Sequence, residues 1–203
     1  MTSLVYKSAT LYEIAMVLLY GRHYPSRYSA IAELIPNGSS VLDLCCGPAI
    51  LYHRYLRAKS VQYTGLDFNA KFIDRLIRRG GCGQRWDLRS DKPLPTADYV
   101  IMQASLLHFL PDASPVVKRM LRAARKRVII AEPIRNLATS RSRLLSWVAR
   151  RSTNPGTGEQ PLRFNEASLA DFFSAYPSQV VQSFPIAGGR EQVYVLDGDM
   201  ALA

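Results

Sequence analysis

The apolar run Val41, Leu42, Leu44 stops at a turn of small residues, Cys45-Cys46-Gly47-Pro48-Ala49, and a second apolar run from Val61 stops at Asp67. A stretch of helical length separates them. Strand, tight turn, helix and strand in that order open a βαβ unit, which commits the chain to a parallel sheet. The turn presents backbone amides at the N-terminal end of the helix, where they can face a ligand. Asp67 stands 20 positions after Gly47. That spacing puts a carboxylate at the tip of the neighbouring strand, within reach of a ribose, and one carboxylate can accept from both ribose hydroxyls.

A dinucleotide site needs glycines at fixed offsets so that a pyrophosphate can approach the helix N-terminus, and Cys-Gly-Pro-Ala-Ile-Leu lacks them. A nicotinamide-dependent oxidoreductase is therefore disfavoured. The stretch resembles instead the first motif of class I S-adenosylmethionine-dependent methyltransferases, Asp-x-Gly-x-Gly-x-Gly, written here as Asp43-Leu44-Cys45-Cys46-Gly47-Pro48-Ala49. Cys45 and Ala49 replace two of its three glycines, and only Gly47 tolerates a left-handed backbone without strain.

The resemblance continues in order. Trp86-Asp87-Leu88 ends a third short stretch, 97–103 reads as a fourth strand, Leu107-His108-Phe109 follows it, and 127–133 reads as a fifth. The resemblance implies a doubly wound α/β fold: a mostly parallel seven-stranded sheet with an antiparallel last strand, helices on both faces and an N-terminal helical extension. The pattern predicts helices over 8–20, 26–35, 49–56, 70–79, 114–124 and 165–175, with Asp112 and Ser114 as candidate caps of the fifth of these. It predicts a break at Gly80-Gly-Cys-Gly83 and an antiparallel pair, 179–184 with 192–196, around Ala187-Gly-Gly-Arg190.

At 203 residues and 48% hydrophobic, the chain suits a single domain. Residues 1–37 form the helical extension, 38–135 the cofactor-binding core, and 136–203 an acceptor-side helix, a loop and the C-terminal strand pair. No apolar window is long enough for a membrane span, and three cysteines, two of them adjacent, make neither a disulfide framework nor a zinc motif. A reducing cytoplasm is the expected location, and no metal is expected. The net charge of +10 has its source between Lys118 and Arg151, where eleven basic residues face one acid, Glu132. The amphipathic part of this segment, with Leu137, Leu144, Leu145 and Val148 on one face, suits the chain's own sheet or an anionic membrane surface. Clustered cations also keep an RNA substrate open.

The resemblance carries roles onto individual residues. Asp43 faces the methionine amino group of S-adenosylmethionine, Cys45 and Gly47 its backbone, Asp67 the ribose and Asp87 the adenine amino group, with Phe68 and Leu88 as further cofactor-binding residues. Gln103 ends the fourth strand, where ligands meet open α/β sheets, and lines the methionine end. Asp87 also reads as a turn residue binding its own backbone. His108 is the candidate general base beside the acceptor, although a packed histidine in a Leu-Leu-His-Phe-Leu segment is the favoured reading. Tyr20, Arg22, His23, Tyr24, Arg27 and Tyr28 form either a lid or an aromatic seam. Cys45 and Cys46 are expected to act as small hydrophobes.

The sequence thus points to a methyltransferase acting on the oxygen or nitrogen of a small or lipid-linked acceptor. Residues Gln103-Ala-Ser105 stand where amino-methylating nucleic-acid enzymes carry Asn/Asp-Pro-Pro-Tyr. An RNA methyltransferase and a non-catalytic S-adenosylmethionine-binding scaffold are the alternatives.

Overall fold

The structure, a computed structural model, describes residues 14, 16, 17, 20–135 and 162–199. Its centre is one seven-stranded sheet with the order β3-β2-β1-β4-β5-β7-β6. The strands are β1 (Ser40–Leu44), β2 (Gln62–Asp67), β3 (Cys82–Arg85), β4 (Ala97–Gln103), β5 (Ala124–Pro133), β6 (Val180–Pro185) and β7 (Glu191–Asp197). The first five are parallel, while β7 runs antiparallel between β5 and β6. Chain order reverses at β1, which lies between β2 and β4, and this reversal opens a crevice at the carboxyl ends of the strands.

Side chains alternate across each strand, so the sheet has two apolar faces. Val41, Tyr63, Tyr99, Ile101 and Ile129 pack against Tyr28 and Ile31 of α1 (Ser26–Glu33), Leu56, and Leu76 of α2 (Ala70–Arg78). On the other face, Leu42, Leu44, Val100, Met102 and Val128 pack against Val117 and Met120 of α3 (Ser114–Ala123) and against Leu169 and Phe173 of α4 (Glu166–Ser174). Each such fully buried aliphatic side chain contributes about 1.5–3 kcal/mol. Asn165 begins α4 with a capping box: its side chain accepts from the Ser168 N–H, and the Ser168 hydroxyl accepts from the Asn165 N–H.

Three local expectations change. The break expected at Gly80–Gly83 contains the start of β3, which pairs in parallel with Thr64–Asp67. A Cβ on Gly81 would stand 2.2 Å from Leu76 Cδ1 and one on Gly83 2.9 Å from Leu76 Cδ2, so these glycines let α2 lie close on the edge of the sheet. The helix expected over 49–56 tightens and loosens along its length, running through a π-helical turn, Tyr52–Leu56, into a 3-10 turn, Arg57–Lys59. At α3 the N-cap is Ala113, and Asp112 serves it from one residue earlier, accepting from the Ser114 N–H at 3.0 Å. The basic amphipathic stretch, the loop after it and most of the expected helix over 8–20 lie outside the described residues.

Candidate functional site

The turn after β1 has left-handed backbone at every second residue: φ is +56° at Cys45, +53° at Gly47 and +53° at Ala49. These are the positions at which the methyltransferase motif carries glycines. Cys45 and Ala49 therefore adopt the glycine conformation at a cost of about 1–2 kcal/mol each. Asp67 holds the turn in place. Its Oδ2 accepts from the Gly47 N–H at 2.8 Å and its Oδ1 from the Asn69 N–H at 2.7 Å. The Cys46 N–H donates to the Leu66 carbonyl at 3.1 Å, closing the β1 turn onto the tip of β2.

A cleft opens above this turn, lined among others by Asp43, Cys45, Gly47, Asp67, Phe68, Asp87, Leu88, Gln103 and His108. The structure thus gathers all nine residues expected from the sequence around one concavity. Their surroundings differ. Asp43 is buried and accepts a hydrogen bond from the Tyr63 hydroxyl at 2.7 Å. Burial pushes its carboxyl up to about 7 against the opposing effect of that bond, and the nearby Asp67 adds to the rise. Burial also raises Asp67, countered by its two backbone donors. Phe68 is 49% exposed beside the cleft, with the Arg85 guanidinium 5.4 Å from its ring centroid. Leu88 is buried. Asp87 binds its own turn, its Oδ1 accepting from the Arg89 N–H at 2.9 Å and its carbonyl from the Ser90 hydroxyl at 2.6 Å.

The two adjacent thiols are half-buried rather than enclosed, and Cys45 and Cys46 both line the cleft. Burial, reinforced by the neighbouring carboxylates, raises both well above the usual thiol range and leaves them protonated and unreactive. His108 sits in the 3-10 turn Leu106–Phe109, and its buried Nδ1 has no hydrogen-bond partner among the described residues. Burial first, then Arg163 and Arg89, lower its pKa to about 4, so the imidazole is neutral at pH 7. His53 packs against Tyr52 with ring centroids 5.2 Å apart.

Two buried carboxylates, on β5 and β7, stand behind the cleft and bind residues that line it. Glu132 on β5 is fully buried, and its Oε1 accepts from the Ser105 and Leu106 N–H groups at 2.6 Å each. Those residues follow Ala104, which is left-handed at φ +52°, and lead into the turn that carries His108. Glu191 at the start of β7 pairs with the buried Arg27 at 2.7 Å and accepts from the Tyr20 hydroxyl at 2.6 Å. The Gln103 amide donates to the Arg27 carbonyl at 2.9 Å. Of the aromatic cluster before β1, Tyr24 and Tyr28 pack into the core as a seam, while Arg27 and Tyr28 also line the cleft. Sequence reasoning missed the roles of Glu132 and Glu191. The signal for Glu132 was an acid at the end of the apolar run Val128-Ile-Ile-Ala, alone among basic residues.

Among the described residues no group of three or more His, Cys, Asp or Glu side chains is placed to hold a metal ion, and no helix is long and apolar enough to cross a membrane.

Comparison with solved structures shows this architecture in methyltransferases. A TehB-like SAM-dependent methyltransferase from Corynebacterium glutamicum aligns over 86% of this chain and 88% of its own at 17% identity, with a TM-score of 0.59. Magnesium protoporphyrin IX methyltransferase from Synechocystis, solved with bound SAH, aligns over 86% and 81% at 14% identity, with a TM-score of 0.61. A SAM-dependent methyltransferase from Aquifex aeolicus aligns over 90% and 96% at 12% identity, with a TM-score of 0.61. At these identities the likeness is one of fold: the class I, Rossmann-like methyltransferase fold. No curated protein sequence matches the chain. Residues 26–175 match the family model described as "Methionine biosynthesis protein MetW", and the chain belongs to the MetW family.

Proposed function

We propose that the chain binds S-adenosylmethionine in this cleft and transfers its methyl group to an oxygen or nitrogen of a small or lipid-linked acceptor. The observation that carries the reading is the turn 45–49, left-handed at the three motif positions and tied by its Gly47 amide to the carboxylate at the tip of β2. The residues fit the group. Each Asp67 oxygen accepts one backbone N–H and keeps a second acceptor site, enough for two ribose hydroxyls. Phe68 and Leu88 offer apolar surface to an adenine, and Asp43 offers a carboxylate to an ammonium.

When bound, the cofactor supplies an electrophilic sulfonium methyl. The chain's own work is then to hold the acceptor atom in line with that methyl and to keep water out. His108 lines the same cleft with a neutral imidazole and is the general base of this reading. The same low pKa makes it a weak base, and this observation supports the second reading, cofactor binding without turnover. The three-part division of residues 1–203 described above, a single domain with its acceptor side after 135, belongs to the proposal, as does a cytoplasmic location.

Asp67→Asn tests the reading. It removes the charge and one of the two acceptor oxygens, and should weaken S-adenosylmethionine by about 1.5–3 kcal/mol in calorimetry, the scale of hydrogen bonds to a charged group. Unchanged affinity would refute the ribose assignment. Methyl transfer from labelled S-adenosylmethionine across a panel of hydroxyl and amine acceptors separates the catalytic reading from the binding one.

A further inference from the structure

The loop that follows β3 is fixed from two sides. The Asp87 carboxylate accepts from the Arg89 N–H at 2.9 Å. From α3, the Arg119 guanidinium donates through Nη1 to the Leu88 carbonyl at 2.8 Å and through Nη2 to the Lys92 carbonyl at 2.6 Å. The Lys92 ammonium lies 4.1 Å from the ring centroid of Trp86, which is buried in the wall of the cleft. The clamped loop holds one cation at the cleft. Arg89 is exposed and lines the cleft with Trp86, Ser105, His108 and Phe109. Its guanidinium makes no hydrogen bond or ion pair among the described residues.

The charge of that guanidinium reaches His108. Burial is the main cause of the histidine's low pKa, and the positive charges of Arg163, just before α4, and of Arg89 add to it. A proton taken up by this imidazole would be a third positive charge beside two existing ones. An anion in the same space reverses the effect. An oxyanion paired with Arg89 offsets the cations, and an opposite charge within about 4–6 Å of an imidazole favours its protonated form. An acceptor that brings its own negative charge thus makes His108 a better base when it binds. The shapes match as well, because the planar fork of a guanidinium meets two coplanar carboxylate oxygens. One negative charge suits the cleft better than two, since Asp67 and Asp87 line the rest of it.

We infer that the acceptor carries a carboxylate beside the hydroxyl or amine that is methylated, and that Arg89 binds this carboxylate next to His108. The inference rests on the methyl-transfer reading above and narrows its acceptor to a hydroxy- or amino-carboxylate. On that reading the loop after β3 serves both ligands, the cofactor through Asp87 and Leu88 and the acceptor through Arg89.

The test does not require the natural acceptor. Protein saturated with S-adenosylhomocysteine is titrated with lactate against lactamide, mandelate against mandelamide, and inorganic phosphate. Binding is followed through the His108 ring resonances, assigned by their loss in His108→Gln. Each carboxylate should bind on the order of tenfold more tightly than its amide, the range for one charge-assisted pair, and should move the His108 titration to higher pH. In Arg89→Gln each pair should bind alike, and retained binding of S-adenosylhomocysteine shows that the fold is intact. Equal binding within each wild-type pair, binding of neither member, an unmoved His108 titration, or a preference that survives Arg89→Gln overturns the inference while the cofactor reading stands. Phosphate binding more tightly than both carboxylates overturns the choice of carboxylate. A protein that does not bind S-adenosylhomocysteine overturns the cofactor reading itself.

Discussion

Replacing Glu132 by glutamine should change how stability depends on pH, with little effect on the contacts it makes. Oε1 accepts two backbone N–H groups, and glutamine keeps that acceptor. Oε2 is buried without a partner among the described residues. Burial first, and then the charge of Glu191, push the carboxyl from 4.5 up to about 8 against the pull of the backbone donors. The folded state therefore holds a proton that the unfolded chain releases near pH 4.5. Between those two values the native state binds more protons, so stability falls as pH rises. At 1.36 kcal/mol per pH unit, the loss between pH 4 and pH 9 amounts to about 4–5 kcal/mol. Glutamine cannot ionise and escapes it. Asp43 and Asp67 are raised too, but they are common to both proteins and cancel in the comparison. With roughly 2–4 °C of melting temperature per kcal/mol in a chain of this size, Glu132→Gln should gain about 10–15 °C on the wild type between pH 5 and pH 9. Scanning calorimetry of both proteins at pH 5, 7 and 9 measures it. A gap that stays constant across that range would refute the claim that Glu132 is protonated in the fold.

His108→Ala should lower turnover by roughly a hundredfold once an acceptor is in hand while leaving cofactor affinity intact, and an unchanged rate would reduce the residue to packing. Gly81→Ala should cost about 1–3 kcal/mol in a urea titration, because the new Cβ would meet the movable Leu76 side chain at 2.2 Å. Gly198→Ala should cost more in the same titration, because its Cβ would meet the Ala124 carbonyl oxygen at 2.2 Å and a strand would have to shift.

The strands that could be read in the sequence are those whose residues carry their own reason for being buried. Leu42 and Leu44 with Val41 on β1, Val100 and Ile101 on β4, and Val128, Ile129 and Ile130 on β5 are apolar on both faces because helices cover both faces. The spacing from Gly47 to Asp67 was equally legible, since one helical crossover sets it. β3 was not. Cys82-Gly-Gln-Arg85 is an edge strand with mostly exposed side chains, so no hydrophobic pattern marks it and only its pairing with β2 forms it. The left-handed backbone at Cys45 and Ala49 runs against the preference of both residues, and the hold of Asp67 on the turn helps impose it. The roles of Arg27 and Glu191 depend on a contact across 164 positions of chain, which no local pattern encodes.

The measurement that bears most directly on the central claim is a structure of the protein grown with saturating S-adenosylhomocysteine. The account predicts the adenosine lying over the turn 45–49, both ribose hydroxyls on the Asp67 carboxylate, and the amino-acid end beside Asp43. A cleft without ligand at saturation, or an adenosine whose ribose lies away from Asp67, would contradict it.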